Sequence, residues 1–362
     1  MRSNMSNAIS PTSRWTIDRA NTWYAENGWF LGCNYAPSTA VNQLEMWEKD
    51  TFDPITIDRE LGWAGDLGFN ALRVFLHHLL WEHDAPGLLQ RMESFLRIAE
   101  SHNLKVMFVI FDGVWNPHPT IGHRESQPGV HNSGWLQSPG VEILKDVTKH
   151  DQLEGYVKGV ISHFANDHRI HSWDIFNEPD NINASSYVKF EPVNKADLSL
   201  ILLKKAFAWA RSVGPIQPLT AGVWIGEWCE EKLKPLDRFM LNESDVITFH
   251  NYEGPEEMER RIQILQRFGR PILCTEYMAR GFNSTFQSIL PILRKYNVGA
   301  YNWGFVAGKT QTTLPWDSWT ITYANEPPLW FHDIFHVDGR PYREEEIHFI
   351  STYSQIRSQA SA

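Results

Sequence analysis

The sequence is poor in cysteine. Three occur in 362 residues, Cys33, Cys229 and Cys274, and no two form a C-x-x-C pair. That argues against a disulfide framework or a zinc ribbon and leaves each as a small buried hydrophobe. Positive charge is also scarce. Lys and Arg total 33 against 43 Asp and Glu, a formal net charge of −10. Nucleic acid and anionic membranes require basic patches, so neither is an expected partner. No apolar run approaches the roughly 20 residues of a membrane span. Residues 1–30 carry no apolar core of signal-peptide length, so the expected location is cytoplasmic. Internal repeats and low-complexity tracts are absent as well.

What is abundant is apolar and aromatic. The hydrophobic fraction is 42%, enough for a sizeable core, and there are 16 Trp. Flat rings serve a large core, and they equally serve a sugar, whose apolar faces stack on them.

Short apolar runs alternate with longer segments of helical period. The runs are 29–35, 71–76, 105–112, 172–179, 218–224, 246–252, 271–277 and 299–305. Helices are expected over 57–67, 87–101, 153–164, 196–213, 256–268, 285–296 and 343–357. Near-continuous apolar strands suit a parallel sheet covered on both faces. Eight strand–helix units predict an α/β fold, a (β/α)8 TIM barrel, as one domain over residues 1–362 with its core at about 29–350. The competing fold is an open doubly wound sheet. It is disfavoured because no Gly-rich phosphate loop follows the first run. Two connections are long, 112–151 after the third strand and 306–340 after the eighth. Both leave strand C-termini and both are rich in Trp, as walls of a barrel active site would be.

Polar residues gather at those C-termini. Arg73 lies on the second strand and Asp112 ends the third. Asn177 and Glu178 end the fourth, His250 and Tyr252 the sixth, Glu276 the seventh, and Trp303 the eighth. Unpaired charges there would be destabilising by several kcal/mol, so they must pair with each other or with a ligand. Two carboxylates facing across a barrel mouth can do glycoside hydrolysis, one as acid and the other as nucleophile. Arg73 and Tyr252 are placed to keep Glu276 ionised, and His250 to hold the proton of Glu178. Asn177 is a candidate for the sugar 2-hydroxyl, and Trp303 for the floor beneath the ring. Asn34, Asn42, Gln43 and Glu45 after the first strand are candidates for a wall. So are Trp115, His131, Asn132, Trp135, Lys309 and Gln311. A metal-dependent hydrolase is the poorer reading: no H-E-x-x-H occurs, and His77 and His78, as strand neighbours, would face opposite ways.

The segment WDIFNEPDN, residues 173–181, resembles the Asn-Glu-Pro acid/base signature of glycoside hydrolase clan A, with cellulase-like family 5 as the best match. CTEYMAR, residues 274–280, resembles that family's nucleophile strand, and Arg73, His250, Tyr252 and Trp303 extend the pattern. The resemblance implies a retaining double displacement by Glu178 and Glu276, with no metal or organic cofactor. At strand three, where many members carry histidine, this chain has Asp112 instead. NYAPSTAVNQLEMW, PGVHNSGW and NWGFVAGKTQT resemble a cytoplasmic bacterial subfamily often labelled xylanase. That likeness implies an exo-acting β-mannosidase on short oligosaccharides. Two alternatives stand beside it: an endo-β-1,4-glycanase and a catalytically inactive carbohydrate-binding barrel.

Overall fold

The computed structural model describes residues 13–323 and 325–360. Eight parallel strands are present: β1 (Leu31–Asn34), β2 (Ala71–Phe75), β3 (Lys105–Asp112), β4 (Ile170–Asn177), β5 (Leu219–Thr220), β6 (Ile247–His250), β7 (Ile272–Tyr277) and β8 (Gly299–Asn302). Their order is β5-β4-β3-β2-β1-β8-β7-β6. A parallel bridge between Val223 and Phe249 links the two edges, with the His250 amide donating to the Val223 carbonyl at 3.0 Å. The sheet is thus a barrel ringed by helices, as expected. β5 is shorter than its apolar run. Past Thr220 the chain pairs with β6 through that isolated bridge rather than a continuous ladder, and a Cβ on Gly222 would stand 3.1 Å from Thr248 Oγ1.

The interior is layered, because alternate strand residues face inward. The lower layer is apolar: Phe30, Ala71, Met107, Val246, Leu273 and Tyr301. Above it lies a polar layer around Arg73. At the mouth Phe75, Val109 and Trp135 cluster, with Trp115 and Trp303 packed against them. On β2 the alternation is direct, with Leu72 and Val74 packed outward into the helix layer.

The helices follow the expected periodicity, with additions that include a short turn at Val141–Leu144 in the long loop after β3. Ile17–Asn27, capped by Thr16, packs Trp15, Ala20 and Tyr24 onto the lower layer. Its low apolar content hides it from a periodicity search. Pro235–Glu243 was also not expected. The helix at His78–Ser101 starts well before Gly87, bending at Asp84 ahead of Pro86. The Pro-Gly pair reads as a helix start but marks a kink. His77 and His78 do not face apart: their rings stack with centroids 4.7 Å apart, and they hydrogen-bond Gln137 and Ser138 of the long loop after β3. Among the described residues, no helix is long and apolar enough to cross a membrane.

The two long loops meet over the barrel mouth. The His131 amide donates to Ser318 Oγ at 2.9 Å and the Asn132 amide to the Thr310 carbonyl at 2.9 Å. Trp115 and Trp319 stack across the gap, with centroids 5.2 Å apart.

Candidate active site

Both glutamates are aimed by local backbone irregularities. Glu178 follows β4 with φ +40°, a conformation unfavourable for a residue with a Cβ. The strain is held by tight packing: a Cβ on Gly113 would come 2.3 Å from the Glu178 carbonyl oxygen, so only glycine fits there. Between β6 and β7 the register shifts at Phe249/His250, which pairs His250 with Glu276. Such bulges re-aim side chains beside active sites.

Arg73 joins the strands beneath. It is fully buried and donates from Nη1 to Asn34 Oδ1 (2.8 Å) and Glu276 Oε1 (2.8 Å). Nη2 reaches Asn177 Oδ1 (2.7 Å) and Asp174 Oδ2 (2.8 Å), and Nε also reaches Asp174 Oδ2 (3.0 Å). A planar fork serves four partners in a way a lysine could not.

Glu276 is therefore held on both oxygens, since the Tyr252 hydroxyl donates to Oε2 at 2.7 Å. Glu178 has weaker company. Asn181 Nδ2 donates to its Oε2 at 2.7 Å, and His250 Nδ1 lies 2.8 Å from its Oε1. The same His250 nitrogen is 3.6 Å from Glu276 Oε2. One ligand-type atom from each of Glu178, His250 and Glu276 lies within 4.8 Å of the others.

Burial raises both carboxyls. It pushes Glu178 up to about 7, against the Asn181 hydrogen bond and the Arg73 charge. Glu276 is also raised by burial, opposed by the charges of His250 and Arg73 and by the Tyr252 hydrogen bond. Burial drives His250 down to about 4, so its imidazole is neutral near pH 7 and its help to Glu276 is small there. The Arg73 guanidinium touches Glu276 and no cation touches Glu178, which favours Glu178 as the holder of a proton shared by the pair.

Above the pair opens a cavity of about 430 Å³. Its lining includes Glu178, Glu276, Asn177, Tyr252 and Trp303, and from the long loops Trp115, His131, Asn132 and Trp135. His131 Nδ1 lies 2.7 Å from the Leu314 carbonyl. A carbonyl only accepts, so that nitrogen carries the proton and Nε2 is an acceptor. Burial lowers His131 to about 4, which keeps the ring neutral.

Other expected residues stand behind the wall. Asn34 gives its oxygen to Arg73 and its amide to the Thr275 and Asn302 carbonyls. Asp112 sits beneath Trp135, which donates to it at 2.6 Å. Arg73 and His250 do not line the cavity: Arg73 touches its lining at Glu276 and Asn177, and His250 at the two glutamates. Asn42, Gln43, Glu45, Lys309 and Gln311 tie the loops together: Asn42 bonds the Gly134 carbonyl, Gln43 the Leu136 carbonyl, Glu45 bonds Lys309, and Gln311 the Gly129 amide.

Several residues escaped the sequence reading, among them Asp174, Asn181 and Trp224. Asp174, the salt-bridge partner of Arg73, stands four positions before Glu178, and a charge inside an apolar strand is a signal. Asn181 lies within the quoted N-E-P-D-N. Trp224 lines the cavity with its indole N–H on Asp180 Oδ1, and only its place at the end of an apolar run hints at this. The Glu178, His250 and Glu276 trio has the proximity to hold a metal ion. Arg73 at 2.8 Å from Glu276 opposes a second cation on that carboxylate.

No protein-family profile and no curated protein matches the chain. Among solved structures it is similar to a GH5_18 variant from Streptomyces cattleya in complex with Manb1-4GlcNAc (14% identity, TM-score 0.60, covering 92% of this chain and 81% of that one). It is similar to an exo-beta-1,4-mannosidase from Opitutaceae bacterium strain TAV5 (16% identity, TM-score 0.60, 92% of this chain and 60% of that one). It is also similar to an endo-beta-1,4-mannanase from Thermotoga petrophila (14% identity, TM-score 0.59, 92% and 78%). At these identities the likeness is one of fold.

Proposed function

We propose that the chain is a retaining β-glycosidase of the family 5 type, acting as an exo-β-mannosidase on short oligosaccharides. The carrying observation is the carboxyl pair. One oxygen of Glu178 and one of Glu276 lie within 4.8 Å of each other, a proximity that supports the retaining arrangement, whose carboxyl groups stand ~5–5.5 Å apart.

In the first step a Glu276 oxygen bonds the anomeric carbon as the bond to the leaving oxygen breaks, and the Glu178 proton passes to that oxygen. Neutralising Glu276 as an ester removes a neighbouring negative charge and lets Glu178 ionise. Glu178 then takes a proton from water, whose oxygen bonds the anomeric carbon and releases Glu276. Arg73 and Tyr252 stabilise the departing carboxylate. No step requires a metal or organic cofactor.

Two observations favour exo action on mannosides. The long loops are bonded to each other at His131 and Asn132 and stack at Trp115–Trp319, so the part of the cavity wall formed by Trp115, His131 and Asn132 is bridged from loop to loop. The similar structures carry mannose chemistry in their names, a mannosidase, a mannanase and a Manb1-4GlcNAc complex. The mannanase keeps an endo reading in view. Initial rates on aryl β-mannoside, glucoside, galactoside and xyloside, with Glu276→Ala as blank, test the proposal. A dominant mannoside rate supports it. Turnover only of longer chains would favour the endo reading, and sugar binding without turnover would favour an inactive barrel.

A further inference from the structure

Asp112 is a buried carboxyl beside the site that the mechanism does not use. It is 1% exposed and lies outside the cavity lining. Three donors converge on it: Asn177 Nδ2 at 2.9 Å and the Val114 amide at 3.1 Å on Oδ1, and Trp135 Nε1 at 2.6 Å on Oδ2. Its backbone is pinned on both sides by Ser138, at 2.6 Å and 2.9 Å. Burial pushes the carboxyl up to about 7, while these three donors favour its ionised form, in which both oxygens accept.

Asn177 is held at both ends. Its Oδ1 accepts from Arg73 at 2.7 Å, and one Nδ2 hydrogen goes to Asp112. The amide cannot flip without setting its NH2 against the guanidinium and its oxygen against the carboxylate. One Nδ2 hydrogen is left for the cavity, which Asn177 lines. The same carboxylate fixes the Trp135 indole in the cavity wall.

We infer that Asp112 is a positioning residue that locks the Asn177 amide so that it presents a donor, never an acceptor, to the sugar. Asp112 acts on the sugar through Asn177, without touching substrate itself. This rests on the glycosidase reading for its kinetic test and on geometry alone for its spectroscopic one. In Asp112→Asn the new amide offers one oxygen to two opposed donor groups. Its NH2 must face either Trp135 Nε1–H or Asn177 Nδ2–H, and one of them turns away.

The experiment is a double-mutant cycle with Asp112→Asn and Asn177→Ala on an aryl β-mannoside. Asp112→Asn should lower kcat/KM about tenfold to hundredfold, as loss of a charge-assisted contact does, with the loss in kcat because a 2-hydroxyl bond strengthens in the transition state. The double variant should be no slower than Asn177→Ala. Losses that multiply would overturn the inference. If Asp112→Asn does not fold, Asp112→Glu keeps the charge, displaces the carboxylate and enters the same cycle. The second readout is the side-chain amide NMR signal of Asn177, assigned by its absence in Asn177→Ala. It should shift in the Asp112 variant, and an unmoved signal would overturn the inference. An enzyme without turnover on any glycoside would sink the glycosidase reading and leave Asp112 to be judged on that signal.

Discussion

Nδ1 of His250 stands 2.8 Å from Oε1 of Glu178. The imidazole is driven down to about 4 and the carboxyl up to about 7, both by burial. Near neutral pH this contact joins a neutral ring to a carboxyl that can hold its proton. Activity requires Glu178 protonated and Glu276 ionised, so kcat/KM should be bell-shaped in pH. It should fall above about 7 as Glu178 ionises. It should also fall in acid as Glu276, whose carboxyl is raised above its ordinary value, takes up a proton. In Glu178→Ala, with an activated phenolic leaving group, the alkaline limb should vanish from the glycosylation rate. A limb that stays in place would assign it to another group.

Arg73 balances two buried carboxylates, Asp174 and Glu276. Arg73→Met should destabilise the barrel by about 3–5 kcal/mol, the effect of stripping the partner from a buried charge. Thermal denaturation measures this. A loss under about 1 kcal/mol would mean that the layer is not held by the guanidinium.

Trp319 stacks on Trp115, which lines the cavity. Wild type acting on a β-1,4-mannotetraose should release only monosaccharide, and Trp319→Ala should add disaccharide to the products. Chromatography of early products decides, and disaccharide from wild type would contradict the pocket reading.

A chelator separates the two uses of the Glu178, His250 and Glu276 trio. Dialysis against excess EDTA should leave kcat unchanged. A loss restored by a divalent cation would assign the trio to metal binding.

His171 is driven down to about 3 by burial, with its ring stacked on Phe30 at 4.5 Å and bonded to Tyr301 and Ser172. Its folded pKa lies below the unfolded value of ~6.5, so unfolding takes up a proton. The stability this holds is complete above ~6.5 and is lost as pH falls towards 3. Between pH 7 and 4 the loss is about 3 kcal/mol at ~1.36 kcal/mol per unit. His171→Phe should be the weaker fold at pH 7 yet lose less stability by pH 4. Equal acid losses in both proteins would show that His171 does not carry this sensitivity.

Much of the barrel was legible because parallel strands buried on both faces spell themselves as apolar runs, as β3 does over its full length. β5 was overcalled because its run continues past the paired residues into irregular chain. The helix at Ile17–Asn27 was hidden because it plugs the barrel with few residues, Trp15, Ala20 and Tyr24. At the site, Glu178, Glu276, Tyr252 and Trp303 stand at the strand ends where a sequence reading puts them, and they share one cavity. Whether Asn34 and Asp112 face that cavity or back its wall depends on side-chain partners in distant strands and loops. A linear sequence does not order those contacts.

The central claim is that Glu178 gives the proton while Glu276 forms the covalent bond. Its most direct test is azide rescue of Glu178→Ala on an activated aryl β-mannoside. Azide should accelerate turnover and yield the β-mannosyl azide by attack on the Glu276 ester from the face that Glu178 vacates. An α-azide, or rescue in Glu276→Ala in place of Glu178→Ala, would contradict the assignment.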